Sequence, residues 1–217
     1  MARIPKPIGN VRSLSRKPPK LEPLHGIYVY CEGRITEPEY IRAYYTHFCT
    51  KKKVVLFPVK VGEGNPKTLV EKCTQKFNEL KKSAKRDSYE KNTVLAWVEI
   101  EEQYHIEEAI RLAKGIGIEV AISNPCFEVY GLMHETVYDK PLTRFEAQEL
   151  LASLMPGYHH KHAPRFNWAW CSSKVECAIQ HSTLARKRRE EEGTSFPKRN
   201  PSSDFHRLLN SLNPQDE

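Results

Sequence analysis

The stretch that decides the fold is residues 25–38, HGIYVYCEGRITEP. Its apolar residues alternate with tyrosines, which is the pattern of a mostly buried β-strand ending before Glu32. Thr36 and Glu39 then have the spacing of a capping box, so we expect a helix to start there. The chain therefore brings a carboxylate, Glu32, to the carboxyl end of a strand, where open α/β sheets bind their ligands.

Strands and helices alternate outward from this stretch. Further strands are predicted at 54–61, where Pro58 favours an edge position or a bulge, and at 93–100 and 118–122. Helices are predicted after Asn65, from Ile106 to a glycine at 115 or 117, and from Pro125 with Asn124 as its cap. This alternation predicts an α/β fold with a mainly parallel sheet flanked by helices.

Beyond Glu135 the pattern changes to helices and loops. Helices are predicted at 145–154, 175–192 and 202–210, while 156–173 is rich in aromatic residues and histidine without a clear period. We therefore expect three parts: a basic, proline-rich arm at 1–24, an α/β core at 25–135 and a helical C-terminal extension at 136–217 that packs on the core.

Composition limits the class of protein. The hydrophobic content of 39% predicts a globular chain. No apolar run is long enough to span a bilayer, and the N-terminus lacks the apolar stretch of a signal peptide, so we expect a cytoplasmic protein without a membrane partner. None of the six cysteines forms a CxxC pair, which favours small buried thiols over zinc sites or disulfides.

Three glutamates are the candidates for a metal site. Glu32 follows the first strand, and Glu99 and Glu101 lie at the end of the strand at 93–100. Neighbouring parallel strands would bring these carboxylates together, and such clusters suit Mg²⁺ or Mn²⁺, which polarise a phosphodiester and activate water. The alternative is that residues 99–102 form the acidic first turn of a helix.

Other polar residues border the predicted site. His105 could aid proton transfer, although an exposed histidine at a helix start is an equal alternative. Asn124 is expected mainly to cap the helix that starts at Pro125. Glu128, one turn later, could join the site or pair with a base. We also expect Glu37 to lie near the site.

The net charge of +7 permits a nucleic-acid partner. Each basic group has an alternative: the arm could be a tail that docks on the domain, the tryptophans near Lys161 could pack the extension onto the core, and the helix at 175–192 could hold internal ion pairs. A zinc site at residues 158–162 is disfavoured because no cysteine pair completes it. The basic residues predicted to contact phosphates are Arg12, Arg16, Lys17, Arg34, Lys161, Arg165, Arg186, Arg188 and Arg189.

Three motifs carry a resemblance to a known family. They are Cys31-Glu32-Gly33 with Thr36-Glu37-Pro38 and Tyr40, residues 123–128 (SNPCFE) with His134, and residues 200–204 (NPSSD) with His206 and Leu208. With these motifs the chain resembles the RloB family of bacterial defence proteins, and its strand-Glu-Gly followed by acid-x-acid resembles the Toprim domain of topoisomerases and primases.

The resemblance implies a Toprim-like, Rossmann-like fold and a divalent-metal nuclease of anti-phage defence. Glu32 would match the glutamate that acts as general base or acid, and Glu99 and Glu101 would match the aspartate pair that holds the metal. The family's Asp-x-Asp is Glu-x-Glu here, so the second metal ligand could instead be Glu102. The rival hypothesis is a non-catalytic module that binds a nucleotide or nucleic acid, or that partners an ATPase.

Overall fold

The computed structural model describes residues 25–49, 54–57, 60–61, 65–87, 92–99, 106–194 and 199–213. Six strands and eight helices lie in this part of the chain. In chain order they are β1 (His25–Cys31), α1 (Thr36–Phe48), β2 (Val54–Leu56), β3 (Lys60–Val61), α2 (Pro66–Asp87), β4 (Asn92–Glu99), α3 (Ile106–Ile116), β5 (Glu119–Asn124), α4 (Glu128–Leu132), α5 (Arg144–Leu154), α6 (Trp168–Ser172), α7 (Val175–Glu191), β6 (Ser202–Ser203) and α8 (Phe205–Leu212).

The strands form one mainly parallel sheet in the order β2-β1-β4-β5-β6, with β3 also paired to β1. The β1 strand is parallel to β2, β3 and β4, and β4 is parallel to β5. The predicted mainly parallel α/β sheet is therefore confirmed. Because β2 and β4 lie on opposite sides of β1, the chain reverses its direction of travel across the sheet at β1, which creates a crevice at the carboxyl ends of the strands.

The alternating sequence of β1 reflects a sheet covered on both faces. Ile27, Val29 and Cys31 are at most 3% exposed and join a large core with residues of α1, α4, α5, α7 and α8. Tyr28 and Tyr30 pack on the other face, against a smaller core that includes residues of α2 and α3. Helices on both faces explain why the strand reads as an almost continuous apolar run.

Two of the predicted helix boundaries are confirmed. The Asn65 side chain accepts a 3.0 Å hydrogen bond from the Thr68 backbone N–H, so α2 begins with the expected cap and with Pro66 as its first residue. After α3, Gly117 has a φ of +83°, the left-handed conformation that glycine adopts most easily at a helix end.

Helix α1 begins at Thr36 as expected, but two predicted helix caps are wrong. Ile35, not a capping threonine, precedes α1, because the Thr36 hydroxyl instead donates a 2.6 Å hydrogen bond to the Pro164 carbonyl. Asn124 does not cap a helix that starts at Pro125. It is the last residue of β5 and pairs with Ser202, so α4 begins only at Glu128.

The predicted helix at 202–210 is also wrong at its start. Ser202 and Ser203 form β6, antiparallel to β5, and the Ser203 and Ser123 hydroxyls lie 2.7 Å apart in a hydrogen bond. The helix begins at Phe205, and its apolar face is buried in the large core. The region predicted as a helical extension therefore also contributes the edge strand of the sheet, while the predicted helices near 145–154 and 175–192 are confirmed as α5 and α7.

The cysteines behave as small apolar residues. Five of the six are buried, Cys177 is exposed, and all are free thiols. Burial raises the pKa of Cys31 well above its usual value and that of Cys73 to about 12. The predicted buried thiols at these two positions are confirmed.

Candidate functional site at the carboxyl edge of the sheet

The three longest parallel strands end at one edge of the sheet. The last paired residues of β1 and β4 are Tyr30 and Ala96, and Glu99 at the end of β4 pairs with Ser123 of β5. Glu32 directly follows β1. Since paired strands lie about 4.8 Å apart, the backbones at Glu32 and Glu99 are near neighbours at this edge.

Part of the predicted metal site lies outside the described residues. Glu101, Glu102 and His105 lie outside the described residues, and Glu99 is described by its backbone pairing alone. Glu32 is half-buried in the bend after β1. Metal binding by these carboxylates, and proton transfer by His105, therefore stay predictions.

A tight contact between Gly33 and Glu37 shapes the bend after β1. Glu37, in the first turn of α1, is only 3% exposed. A Cβ atom built at Gly33 would lie 2.0 Å from Oε2 of Glu37, which is far inside van der Waals contact. The glycine therefore lets a buried carboxylate lie directly against the backbone that follows Glu32.

We call the depression next to this bend the edge cleft. It has a volume of about 260 Å³ and is bounded by the bend after β1, the start of α4, the start of α5 and the loop around Pro164. Its walls combine cationic and anionic side chains, so it is suited to a charged ligand. The charged and titratable side chains that line it are Arg34, Glu37, Glu128, Arg144 and His160.

Glu128 is the best-defined polar side chain of the edge cleft. It is 5% exposed, accepts a 2.5 Å hydrogen bond from the hydroxyl of buried Tyr158, and lies 3.4 Å from Nδ1 of His160. The carboxylate thus pairs with a base, which is one of the two predicted alternatives. An oriented histidine beside a buried carboxylate is also an arrangement that enzymes use to position a base.

Two predicted polar residues lie deeper in the fold. Asn124 is 7% exposed within the β5–β6 pair. His134 is a core histidine, with hydrogen bonds to the Tyr40 hydroxyl at 3.0 Å and to backbone carbonyls of α4 at 3.2 Å. Burial lowers the pKa of His134 to about 4, so it is neutral at pH 7.

The basic residues predicted to bind nucleic acid fall into two groups within the described part of the chain, and Arg12, Arg16 and Lys17 lie outside it. Arg34 lines the edge cleft, and Lys161 and Arg165 belong to the loop beside it. All three are exposed, and Arg165 forms a 3.3 Å ion pair with Glu39. These positions suit contacts to a ligand that enters the cleft.

The second basic group lies on α7 and is held by internal ion pairs. Arg186 contacts Glu190 and Asp204, Arg188 contacts Asp139 at 2.6 Å, and Arg189 contacts Glu192 at 2.7 Å. These contacts agree with the alternative hypothesis that the basic residues of this helix form ion pairs within the protein. Binding of phosphates by Arg186, Arg188 and Arg189 stays a prediction, and a phosphate would have to compete with these acids.

The aromatic and histidine-rich segment packs against the core. Tyr158 is buried, Trp168 contacts Tyr40 with ring centroids 5.5 Å apart, and the Lys174 ammonium lies 4.2 Å from the ring centroid of Trp170. Within the described ranges, no cluster of three or more His, Cys, Asp or Glu side chains is arranged to hold a metal ion. The tryptophans thus make the contacts expected if they pack the C-terminal extension onto the core.

No strand or motif of the sequence singled out Arg144 and His160 as site residues. Arg144 is the first residue of α5, and His160 lies in a loop, so neither follows a sheet strand. The run of histidines at 159, 160 and 162 was the one signal, and it suggested zinc or nucleic acid rather than a partner for Glu128.

The fold and the edge cleft define the chain as an α/β protein with a mainly parallel sheet and a charged cleft at the carboxyl ends of its strands. The family model described as RloB-like protein matches residues 27–212. The chain therefore belongs to the RloB-like family, and the resemblance of its motifs is confirmed. No curated protein and no solved structure matches the chain. No helix in the described ranges is long and apolar enough to cross a membrane.

Proposed function

We propose that this protein is a Toprim-like, divalent-metal-dependent nuclease that hydrolyses phosphodiester bonds of RNA or DNA in bacterial anti-phage defence. The observation that carries the proposal is the parallel pairing of β1 with β4, which brings the backbones at Glu32 and Glu99 to one sheet edge. The position of β1 between β2 and β4 further supports a ligand site at this edge.

Glu32, Glu99 and Glu101, or Glu102 in place of Glu101, are the residues that would hold Mg²⁺ or Mn²⁺. Carboxylates crowded at one sheet edge repel each other unless a cation or protons intervene, and carboxylate oxygens are the ligands that these ions prefer. When bound, the ion would polarise the phosphodiester and lower the pKa of an attacking water. Glu32 would accept the proton of that water, and His105 would assist proton transfer.

The nucleic-acid substrate is supported by charge, and the defence role by family membership. The chain carries a net charge of +7, and exposed Arg34, Lys161 and Arg165 lie in or beside the edge cleft. Basic side chains around such a cleft favour a polyanion over a neutral ligand. We also propose a cytoplasmic location and a partner ATPase.

A cleavage assay tests the proposed function. Labelled RNA and DNA, single-stranded and duplex, are incubated with the protein and Mg²⁺ or Mn²⁺, and with EDTA as a control. We expect metal-dependent cleavage that Glu32→Gln abolishes and that Glu71→Gln, a neutralised exposed carboxylate on α2, retains. Absence of cleavage by the wild-type protein across all substrates and both metals would contradict the nuclease and support a non-catalytic binding module.

A further inference from the structure

A second depression adjoins the edge cleft, and we call it the side groove. It has a volume of about 210 Å³ and lies between α5, with Phe145, Gln148 and the acidic Glu149 on one wall, and the loop at 159–161 on the other. His160 lines both depressions, so the side groove continues from the edge cleft. A ligand at the sheet edge could therefore extend along the surface to α5.

Phe145 is the distinctive side chain of the side groove. It is 69% exposed, whereas the other exposed large apolar side chains of the described residues are at most 40% exposed. An aromatic ring this far from the core contributes little to folding, so it is a candidate for binding.

The backbone that carries Phe145 is firmly fixed. Thr143 and Glu146 form a complete capping box at the start of α5, and Ala147 and Leu151 of the same helix are fully buried. The ring is thus presented on a rigid helix rather than on a mobile loop, which lowers the entropic cost of binding.

The opposite wall is also fixed and carries a positive charge. His159 and Ala163 exchange two backbone hydrogen bonds of 3.0 and 2.8 Å, and His160 lies against the Glu128 carboxylate. Lys161 is therefore held at the rim of the groove, exposed, and no carboxylate of the described residues lies within ion-pair distance of it.

We propose that the side groove binds a single-stranded segment of nucleic acid, with one base stacked on Phe145 and the adjoining phosphate at Lys161. The strand would continue into the edge cleft, where Arg34 and Arg144 offer further cationic contacts. An exposed aromatic ring beside a cation is the combination that single-strand binders use, and a duplex cannot present its stacked base faces to such a ring. The proposal deepens the proposed function, because it specifies a single-stranded substrate for the same site.

Fluorescence anisotropy tests the proposal without requiring catalysis. Fluorescein-labelled 12-nucleotide single strands of RNA and DNA, and the corresponding duplexes, are titrated with the full-length protein in EDTA. We expect tighter binding of a single strand than of its duplex, and a loss of roughly tenfold in single-strand affinity for Phe145→Ala. Comparison of the RNA and DNA titrations identifies which sugar the groove prefers.

Two variants separate stacking from other effects. Phe145→Leu keeps an apolar side chain but removes the aromatic face, and we expect it to bind as weakly as Phe145→Ala. Leu184→Ala truncates another exposed apolar residue, on α7 away from the groove, and should bind as wild type does. Wild-type affinity in Phe145→Ala or Phe145→Leu, or no preference for single strands, would overturn the proposal.

The anisotropy and cleavage assays together distinguish failure of this proposal from failure of the nuclease. If cleavage depends on Glu32 but the Phe145 variants bind single strands as wild type does, the proposed nuclease is retained and the proposed binding in the side groove is rejected. Binding that depends on Phe145, without cleavage by the wild-type protein, would retain the groove and reject the nuclease. A wild-type protein that binds no single strand rejects the groove whatever the cleavage assay shows.

Discussion

The hydroxyl of Tyr158 donates a 2.5 Å hydrogen bond to the carboxylate of Glu128, a residue 30 positions away in the chain. Both residues are at most 5% exposed, and the same carboxylate oxygen lies 3.4 Å from Nδ1 of His160. This contact joins the start of α4 to the loop that forms one wall of both depressions. The shape of the proposed binding surface therefore depends on it.

Removal of the Tyr158 hydroxyl should destabilise the protein. A buried carboxylate that loses a donor keeps its desolvation cost, so we expect Tyr158→Phe to lower the free energy of unfolding by roughly 1.5–3 kcal/mol. Urea denaturation of Tyr158→Phe, Glu128→Ala and the double variant measures the coupling between the two side chains. Tyr138→Phe, at a half-buried tyrosine packed against the same core, is the control. Its free energy of unfolding should fall by less. If the losses of stability in the two single variants add up to the loss in the double variant, the hydrogen bond does not contribute to stability.

Gly33 should resist substitution although it lies in a bend. The added methyl group of Gly33→Ala would overlap the buried Glu37 carboxylate, and overpacking of this kind costs about 1–3 kcal/mol. Gly115→Ala is the matched control. Apart from the backbone of α3 itself, nothing in the described residues lies within 4 Å of its new methyl group, so the substitution should stabilise the protein by about 0.5–1 kcal/mol. Thermal or urea unfolding measures both, and an equal response at the two glycines would refute the close contact.

The sequence predicted those features that depend on local patterns. Alternation in β1, the Asn65 cap and the glycine after α3 are each set by residues a few positions apart. The hydroxyl of Thr36 was mispredicted because a tertiary contact with Pro164, 128 positions away, competes with the cap. The β6 strand has two residues, which is too short for any periodicity to show.

The candidate site was predicted in part for the same reason. Glu32 and Glu128 follow strands, so the topology alone indicated the sheet edge. His160 and Arg144 come from distant segments that meet only in the folded chain, and no spacing links them. The burial of Glu37 depends on the lack of a side chain at Gly33, which a pattern of apolar residues does not encode.

The buried His134 should make stability depend on pH. Its pKa is lowered to about 4 in the folded protein, against about 6.5 in the unfolded chain, so between these values the unfolded state binds more protons. Stability therefore falls as pH decreases through this window, by roughly 1 kcal/mol from His134 alone between pH 7 and pH 5.5. Urea unfolding at both pH values compares wild type with His134→Gln, which should lack this part of the pH dependence. An identical pH dependence in the two proteins would contradict the neutral buried histidine.

The basic residues on α7 should contribute less to nucleic-acid binding than Lys161 does. Arg188 is already paired with Asp139, so a phosphate gains little by replacing that acid. We expect Lys161→Gln to reduce the slope of log affinity against log salt by about 0.7, the value for one phosphate of a single strand, and Arg188→Gln to leave it nearly unchanged. Anisotropy titrations at several salt concentrations measure the slopes. A larger change for Arg188→Gln would restore the α7 group as a phosphate-binding surface.

The central claim is that Glu32 shares a divalent ion with the acids at the end of β4. The most direct measurement is an anomalous difference map from a crystal soaked in Mn²⁺. The account predicts a peak at the carboxyl edge of the sheet, within coordination distance of carboxylate oxygens of Glu32 and Glu99 and of Glu101 or Glu102. A map without a peak at this edge, or with the Glu32 carboxylate turned away from those acids, would contradict it.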